Sequence, residues 1–272
     1  MSATKASINR SFCRRENLGD LTAKSGSQAT AAGLVGTALG VAIGGAVDAS
    51  VATLLVAFVP LSAASLWGNY RSLLYAATPT LNVERTCRML QPALAVRGGR
   101  LRLEPERIQT PRQVSAVERF MRQTRHVASE GRLPGIAVAP SLRRTVAGAA
   151  AALDMARTAF GPRGCAQGER YYLGFLPPPT AAAAAAGPGR LHLWFDAQAT
   201  GADMLLGFYH AMACRALLGC NGAAAADAQA QSYLFAKQTF AALHQTVVDC
   251  GWETDTLYLA KRSALVARER QD

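Results

Sequence analysis

The sequence predicts a mostly α-helical protein with a small β element: a two-helix membrane hairpin followed by an α+β soluble domain. The first observation behind this fold class is that Asp48 is the only charged residue between Lys24 and Arg71. The second is composition, since half of the chain is hydrophobic but only 7% is aromatic. The third is a mean hydropathy of +0.09, which is high for a soluble protein and low for one embedded throughout in lipid.

The predicted organisation has three parts. Residues 1–24 form a basic juxtamembrane segment, residues 25–92 form the hairpin and an exit helix, and residues 98–272 form the α+β domain. Within that last domain, residues 177–189 are a low-complexity loop of Pro, Ala and Gly.

Two apolar segments, Ser25–Val47 and Ala49–Tyr70, carry the membrane prediction. Each has about the 20 residues that a helix needs to cross a bilayer of roughly 30 Å. A helix is favoured there because it satisfies every backbone polar group internally. Basic residues flank both outer ends, so the positive-inside tendency places both ends on one side of the membrane. The alternative is a pair of buried Gly- and Ala-rich helices in a soluble protein.

Each segment also carries a recognisable pattern. The first has glycines at every fourth position, a small-residue stripe along which another helix can approach closely. This predicted packing stripe is Gly36, Gly40 and Gly44. The second segment ends in Trp67 and Tyr70, followed by Arg71. Amphipathic rings and adjacent cations favour the membrane interface, where we expect these three side chains to lie.

The region after residue 97 has helix and strand signals. Thr110 followed by Pro111 predicts a capped helix start. Further helices are predicted over Ser141–Phe160, Asp203–Leu218 and Ala228–Val248. A small strand pair is predicted from Arg170–Leu176 and Arg190–Phe195. A last helix through Val266 is predicted, capped by Thr254 or Asp255.

Charge and cysteine content limit the partners. The net charge of +11 fits nucleic acid, an anionic membrane surface, or only an Arg-rich composition. Nucleic-acid binding is not predicted, because the arginines are scattered and no nucleic-acid module is visible. The six cysteines form no C-x-x-C pair and lie beside no suitably spaced histidine. They are expected to be buried small hydrophobes in a reducing compartment, without a metal site.

No residue pattern predicts catalysis. His210 lies seven residues after Asp203, which places the two side chains about 10 Å apart on a helix, so a structural histidine is favoured. Asp196 is expected to cap the following helix rather than act as an acid or base. His192, beside Trp194, is expected to be packed or solvent-facing. We therefore predict a non-enzymatic protein without catalytic residues, metal or cofactor.

Several strings, in order, resemble the root UVB sensitive (RUS) family, which is also described by the uncharacterised domain DUF647. The strongest matches lie before and after the apolar segments, and Gly251-Trp252 resembles the family more loosely. The family-motif residues are Asp20, Lys24, Gln28, Asn69, Tyr70, Thr80, Leu81, Asn82 and Arg85.

The resemblance implies a membrane-associated protein of a eukaryote. In plants the family is linked to plastids, UV-B responses, auxin transport and vitamin B6 status, so a membrane, such as that of a plastid, is the expected location. Family members resemble one another over a longer region, which implies that this chain begins partway through their shared domain. The resemblance supplies no catalytic residues to carry over.

Two hypotheses follow. The first is an adaptor or transport-associated factor that contacts membrane lipid and a protein partner, such as another RUS-family protein. The second is a protein that handles an anionic small molecule through Arg143 and Arg144 in the soluble domain. If that ligand is pyridoxal phosphate, a covalent aldimine would require Lys237 or Lys261.

Overall fold

The computed structural model describes residues 18–46, 50–75, 78–118, 126–140, 169–176, 189–221 and 225–259. The chain divides into two compact units, Met1–Thr78 and Pro79–Asp272. The division falls just before the first strand, so the predicted domain start at residue 98 lies inside the second unit.

The first unit contains two long helices, α1 (Leu18–Ala46) and α2 (Val51–Tyr75). Both coincide with the apolar segments read from the sequence, and Asp48 lies outside the described residues. Within them, Thr22–Gly45 and Val51–Ser72 are long and apolar enough to cross a membrane, and neither stretch is buried. Pro60 is accommodated inside α2.

The second unit mixes short strands with four described helices. Along the chain these are β1 (Thr80–Asn82), α3 (Val83–Leu90), β2 (Leu94–Arg97), β3 (Arg100–Leu103), α4 (Pro111–Val117), β4 (His126–Val127), β5 (Gly135–Val138), β6 (Tyr171–Leu176), β7 (Arg190–Phe195), α5 (Gly201–Asn221), α6 (Ala225–Asp249) and β8 (Glu253–Tyr258).

Three small sheets are present among the described residues. One has four strands in the order β4-β5-β7-β6, and its β5–β7 pair is parallel whereas the two outer pairs are antiparallel. A second is the β2–β3 hairpin. The third pairs β1 with β8 in parallel, although the two strands lie at opposite ends of the unit's sequence.

Helix α5 forms the centre of this unit. Its residues from 205 to 215 are all buried, and it contacts α6, α3 and strands of all three sheets. Alternate residues of β7, among them Leu191, Leu193 and Phe195, are fully buried in the same core. The buried stretch is mostly apolar, and its two polar side chains, His210 and Arg215, are hydrogen-bonded within the core.

The predicted helices over 203–218 and 228–248 are confirmed, as is the strand pair, which is β6 and β7 and is antiparallel. The Thr110 cap is also confirmed as a full capping box with Gln113. The strand pair, however, belongs to a larger sheet, because β5 adds to it in parallel through four residues of the short apolar run Gly135–Val138.

The predicted last helix capped by Thr254 or Asp255 is wrong where the structure describes it. These residues form β8, because pairing with β1 supplies the backbone partners that a helix would otherwise provide. The cap predicted at Asp196 is also wrong: Thr200 Oγ1 accepts from the backbone N–H of Asp203 at 3.2 Å and so caps α5. The predicted helix over Ser141–Phe160 and the loop 177–189 fall outside the described residues, except for Gly189.

Candidate functional site

The two apolar helices present an unusual surface. Fourteen large hydrophobic side chains on α1 and α2 are exposed, against four in the described part of the second unit. Val41, Val56 and Leu66 are each more than 70% exposed. A soluble protein rarely exposes a continuous apolar surface of this extent unless lipid or a protein partner covers it.

The residues predicted for the membrane interface lie together at the end of α2. The Arg71 guanidinium carbon lies 5.8 Å from the centroid of the Trp67 ring, within the range of a cation–π contact. Tyr70 is 53% exposed on the same turn. The family-motif residue Asn69 is exposed beside them. The cluster has the composition of an interfacial anchor, and whether it lies at a membrane stays a prediction.

The glycine stripe lies on an open side of α1. A Cβ built at Gly36, Gly40 or Gly44 would meet no atom of the described residues within 4 Å. The stripe is therefore free to receive a second helix, and its role in packing stays a prediction. The family-motif residues Lys24 and Gln28 are exposed on α1, and Asp20 lies in its first turn.

The remaining family-motif residues form one node around β1 and α3, in which Leu81 and Arg85 are buried and Thr80 and Asn82 are half-buried. Leu81 is fully buried. Asn82 caps α3, because its Oδ1 accepts from the backbone N–H of Arg85 at 2.8 Å. The Arg85 side chain turns back to β1 and donates to the Thr80 carbonyl oxygen at 3.1 Å. Residues with the spacing Thr-Leu-Asn-x-x-Arg thus form the hydrogen bonds that hold strand β1 against helix α3, which follows it.

Arg85 also reaches across the fold to Glu118 at the end of α4. Its Nε and Nη2 both lie 2.8 Å from Glu118 Oε2, and the Glu118 side chain is fully buried. A buried pair of this kind is costly to break, since removal of one partner leaves an uncompensated charge. No local pattern indicates Glu118 as the partner, because it lies 33 residues further along the chain.

His210 is held in a buried hydrogen-bonded network. Its Nε2 lies 3.2 Å from the Gln229 carbonyl oxygen, which can only accept, so Nε2 carries the proton. Nδ1 then accepts from the Tyr171 hydroxyl at 3.1 Å. Burial lowers the pKa of His210 to about 4. The prediction of a structural histidine is confirmed, and Asp203 instead caps α5 with Thr200.

His192 and Asp196 complete the sequence-derived candidates. His192 is buried on β7 with its ring centroid 5.6 Å from that of Trp194, which confirms a packed position. Burial lowers the pKa of His192 to about 4. Asp196 Oδ1 accepts from the backbone N–H of Gln198 at 2.8 Å, which makes a turn at the strand end. The contacts of both side chains thus support the local fold.

The structure places Lys237 in an ion pair. Its Nζ lies 2.6 Å from Glu169 Oε1, which also accepts from the Tyr233 hydroxyl at 3.1 Å. An aldimine would require the Lys237 amine to leave this carboxylate. Arg143, Arg144 and Lys261 fall outside the described residues.

Cys87 and Cys214 are buried, as predicted, whereas Cys250 is only half-buried. Burial raises the pKa of the Cys87 and Cys214 thiols to about 11 and about 12. Such thiols are poor nucleophiles at neutral pH. Among the described residues no group of three His, Cys, Asp or Glu side chains could hold a metal ion.

Comparison with known proteins finds a family match for the N-terminal part of the chain. Residues 1–95 match the vitamin B6 photo-protection and homoeostasis domain. The chain is similar to Protein root UVB sensitive 3 of Arabidopsis thaliana, with 27% identity over 116 residues, which is 43% of this chain and 24% of that protein. It is also similar to RUS family member 1 of Dictyostelium discoideum, with 33% identity over 81 residues, which is 29% of this chain and 15% of that protein. No solved structure matches.

The matches thus cover less than a quarter of either relative. The matched segment includes α1 and α2 and runs on through β1 and α3, so it takes in both the apolar surface and the buried node of Arg85. These are the two places at which the family-motif residues cluster. Residues 1–95 thus match the model of this domain family, and part of the chain is similar to two root UVB sensitive proteins.

Proposed function

We propose that this protein is a membrane-anchored, non-enzymatic factor in vitamin B6 homoeostasis, which acts as an adaptor or transport-associated protein. The observation that carries the proposal is the exposed apolar surface of α1 and α2, inside the segment that matches the vitamin B6 domain. Both helices have the length of a membrane span. In this proposal they form a hairpin whose two outer ends lie on one side, in a plastid or another intracellular membrane.

The role of a protein partner follows from the same helices. Membrane helices associate where small residues allow close approach, and the open stripe of Gly36, Gly40 and Gly44 offers such a surface. We propose that its occupant is another helix, from a family member or a second copy of this chain. The partner, rather than a reaction at a catalytic site, then links the protein to vitamin B6.

Carbonate extraction of the tagged full-length chain, with protease protection of tags at both ends, tests the anchor. We expect the protein to remain in the membrane pellet, with both tags on one side. Leu61→Arg, near the middle of α2, should shift protein to the supernatant, because a central arginine costs about 3 kcal/mol in insertion. The matched control Leu234→Arg changes an exposed leucine of α6 and should leave the pellet fraction unchanged. Release of the unmodified chain would overturn the anchor.

The link to vitamin B6 needs a separate measurement. In cells that lack this protein, we would compare the pyridoxal phosphate content after restoring the unmodified chain or Leu61→Arg. The proposal requires that only the membrane-inserted form restores it. Pyridoxal phosphate should also leave the melting temperature of the purified chain unchanged. A clear rise would favour the ligand-handling hypothesis instead.

A further inference from the structure

The β2–β3 hairpin has two chemically different faces. Its register pairs Leu94 with Leu103, Ala95 with Arg102, Val96 with Leu101 and Arg97 with Arg100. Because side chains alternate along a strand, the leucines and valine share one face, and this face packs against the core of the second unit. The opposite face, here called the arginine face, consists of Ala95, Arg97, Arg100 and Arg102.

The turn brings two of these arginines together. Gly98 and Gly99 have φ angles of 59° and 75°, a left-handed conformation that glycine adopts without steric cost. This two-residue turn sets Arg97 directly opposite Arg100. Like charges in directly opposed positions destabilise a hairpin, so the arrangement calls for an anion.

The fold neutralises only part of this charge. Arg97 Nη2 lies 3.1 Å from Glu104 Oε1, and that same carboxylate also pairs with Arg107 at 2.9 Å. Neither Arg100 nor Arg102 has an ion pair or side-chain hydrogen bond within the described part of the chain, and both are exposed. The face therefore presents two uncompensated guanidinium groups to its surroundings.

We propose that the arginine face docks on an anionic lipid surface. The inference rests on the proposed membrane anchor. Only residues 76–79 separate the end of α2 at Tyr75 from Thr80, so an inserted α2 would tether β1 within roughly 18 Å of the membrane. Guanidinium groups bind phosphate with two parallel hydrogen bonds, and basic residues close to a bilayer are attracted to its anionic lipids.

A lipid surface fits this face better than nucleic acid does. The arginine face contains no aromatic side chain on which a base could stack, which is the usual second element of a single-strand site. The hairpin is also short, with four residues in each strand. A flat array of phosphate headgroups needs no more than the two uncompensated charges that the face offers.

Hydrogen exchange of the full-length chain in vesicles tests the docking. The protein is reconstituted into phosphatidylcholine vesicles, with or without about one third phosphatidylserine, and exchange is followed over residues 94–103. We expect slower exchange only with phosphatidylserine. Arg100→Gln with Arg102→Gln should weaken this protection about thirtyfold, which corresponds to about 1 kcal/mol for each arginine near the surface.

Two further double variants distinguish an effect of the arginine face from an effect of the net charge of the protein. Arg112→Gln with Arg132→Gln removes two exposed arginines elsewhere and should leave protection intact, whereas Arg100→Lys with Arg102→Lys should restore most of it. Equal exchange in both kinds of vesicle, or equal loss in the Arg112/Arg132 variant, would overturn the proposal. Protection on neutral vesicles by inorganic phosphate or by an oligonucleotide would also overturn it.

Failure of the anchor would be distinguishable from failure of the docking face. Carbonate extraction of the same vesicles reports insertion without reference to Arg100 and Arg102. If the chain is extracted, flotation with anionic and neutral vesicles still measures the attraction of the face for lipid. Flotation that is the same for both vesicles would then overturn the docking face on its own.

Discussion

At the scale of single residues, the most informative side chain is Arg85. It joins three elements: from α3 its guanidinium group donates to Thr80 on β1 and pairs with Glu118 at the end of α4. Asn82 holds its backbone at the start of α3. A family-motif arginine in such a place is explained by folding, because a lysine could not supply the several directed donors of a guanidinium group.

Loss of the Arg85 side chain should therefore destabilise the second unit strongly. Arg85→Met leaves the Glu118 carboxylate buried and unpaired, which should lower the free energy of unfolding by about 3–5 kcal/mol. The double variant Arg85→Met with Glu118→Gln should recover part of this loss. Chemical denaturation in detergent measures both.

The matched control is Arg88→Met, also on α3. Arg88 pairs with Glu84 at 2.9 Å on a partly exposed side of the helix, so its loss should cost less than about 1 kcal/mol. Equal destabilisation by the two single variants would contradict the structural role of the Arg85–Glu118 pair.

At the scale of elements, the sequence predicts those helices and strands that depend on neighbouring residues, and it does not predict those that depend on distant ones. The long helices α1, α2, α5 and α6 were foreseen because charge distribution and apolar spacing are local properties of the sequence. β5 was missed since a four-residue apolar run is too short to show a period. β8 was mistaken for a helix because Thr254 and Asp255 have the chemistry of a helix cap, and its pairing with β1 depends on a distant segment.

The candidate sites divide in the same way. The Gly36/Gly40/Gly44 stripe and the Trp67–Arg71 cluster are helix patterns, so the sequence was sufficient to nominate them. The ion pair of Arg85 with Glu118 and the network of His210 with Tyr171 join residues 33 and 39 positions apart, and no local pattern indicates either partner.

The glycine stripe gives the prediction at this scale. Gly40→Leu should weaken association of α1 with the proposed partner helix, because a large side chain keeps the two backbones apart. It should leave the chain's own fold unchanged, since the added atoms meet none of the described residues. Cross-linking in membranes measures association, and a melting curve measures the fold.

Ala42→Leu is the control, because residue 42 lies on the opposite side of α1 from Gly40 at 100° per residue. It adds a similar bulk and should leave cross-linking unaffected. If association is unchanged in Gly40→Leu, the glycine stripe is not the contact surface.

At the scale of the whole molecule, the stability of the second unit should depend on pH through its buried histidines. The folded-state pKa of His210 is about 4, below its ordinary value of 6.5. Between these values the unfolded chain binds a proton that the folded chain does not. The contribution of His210 is therefore complete above pH 6.5 and is lost as the pH falls towards 4.

Between pH 7.5 and 4.5 this single group should lower the free energy of unfolding by on the order of 2–3 kcal/mol. His210→Gln, which cannot take up the proton, should flatten that part of the profile, as measured by urea denaturation at several pH values. His244→Gln, at a half-buried position of α6, serves as the control. An unchanged slope in His210→Gln would contradict the assignment.

The parallel pairing of β1 with β8 has a consequence for biosynthesis. Thr80 pairs with Glu253, which lies 173 residues further along the chain, so the first strand is made long before its partner exists. The apolar helices precede both strands and can enter a membrane while translation continues. During that interval Leu81 lacks Leu257, the β8 residue with which it pairs. The second unit therefore cannot complete its β1–β8 sheet until residue 258 has left the ribosome.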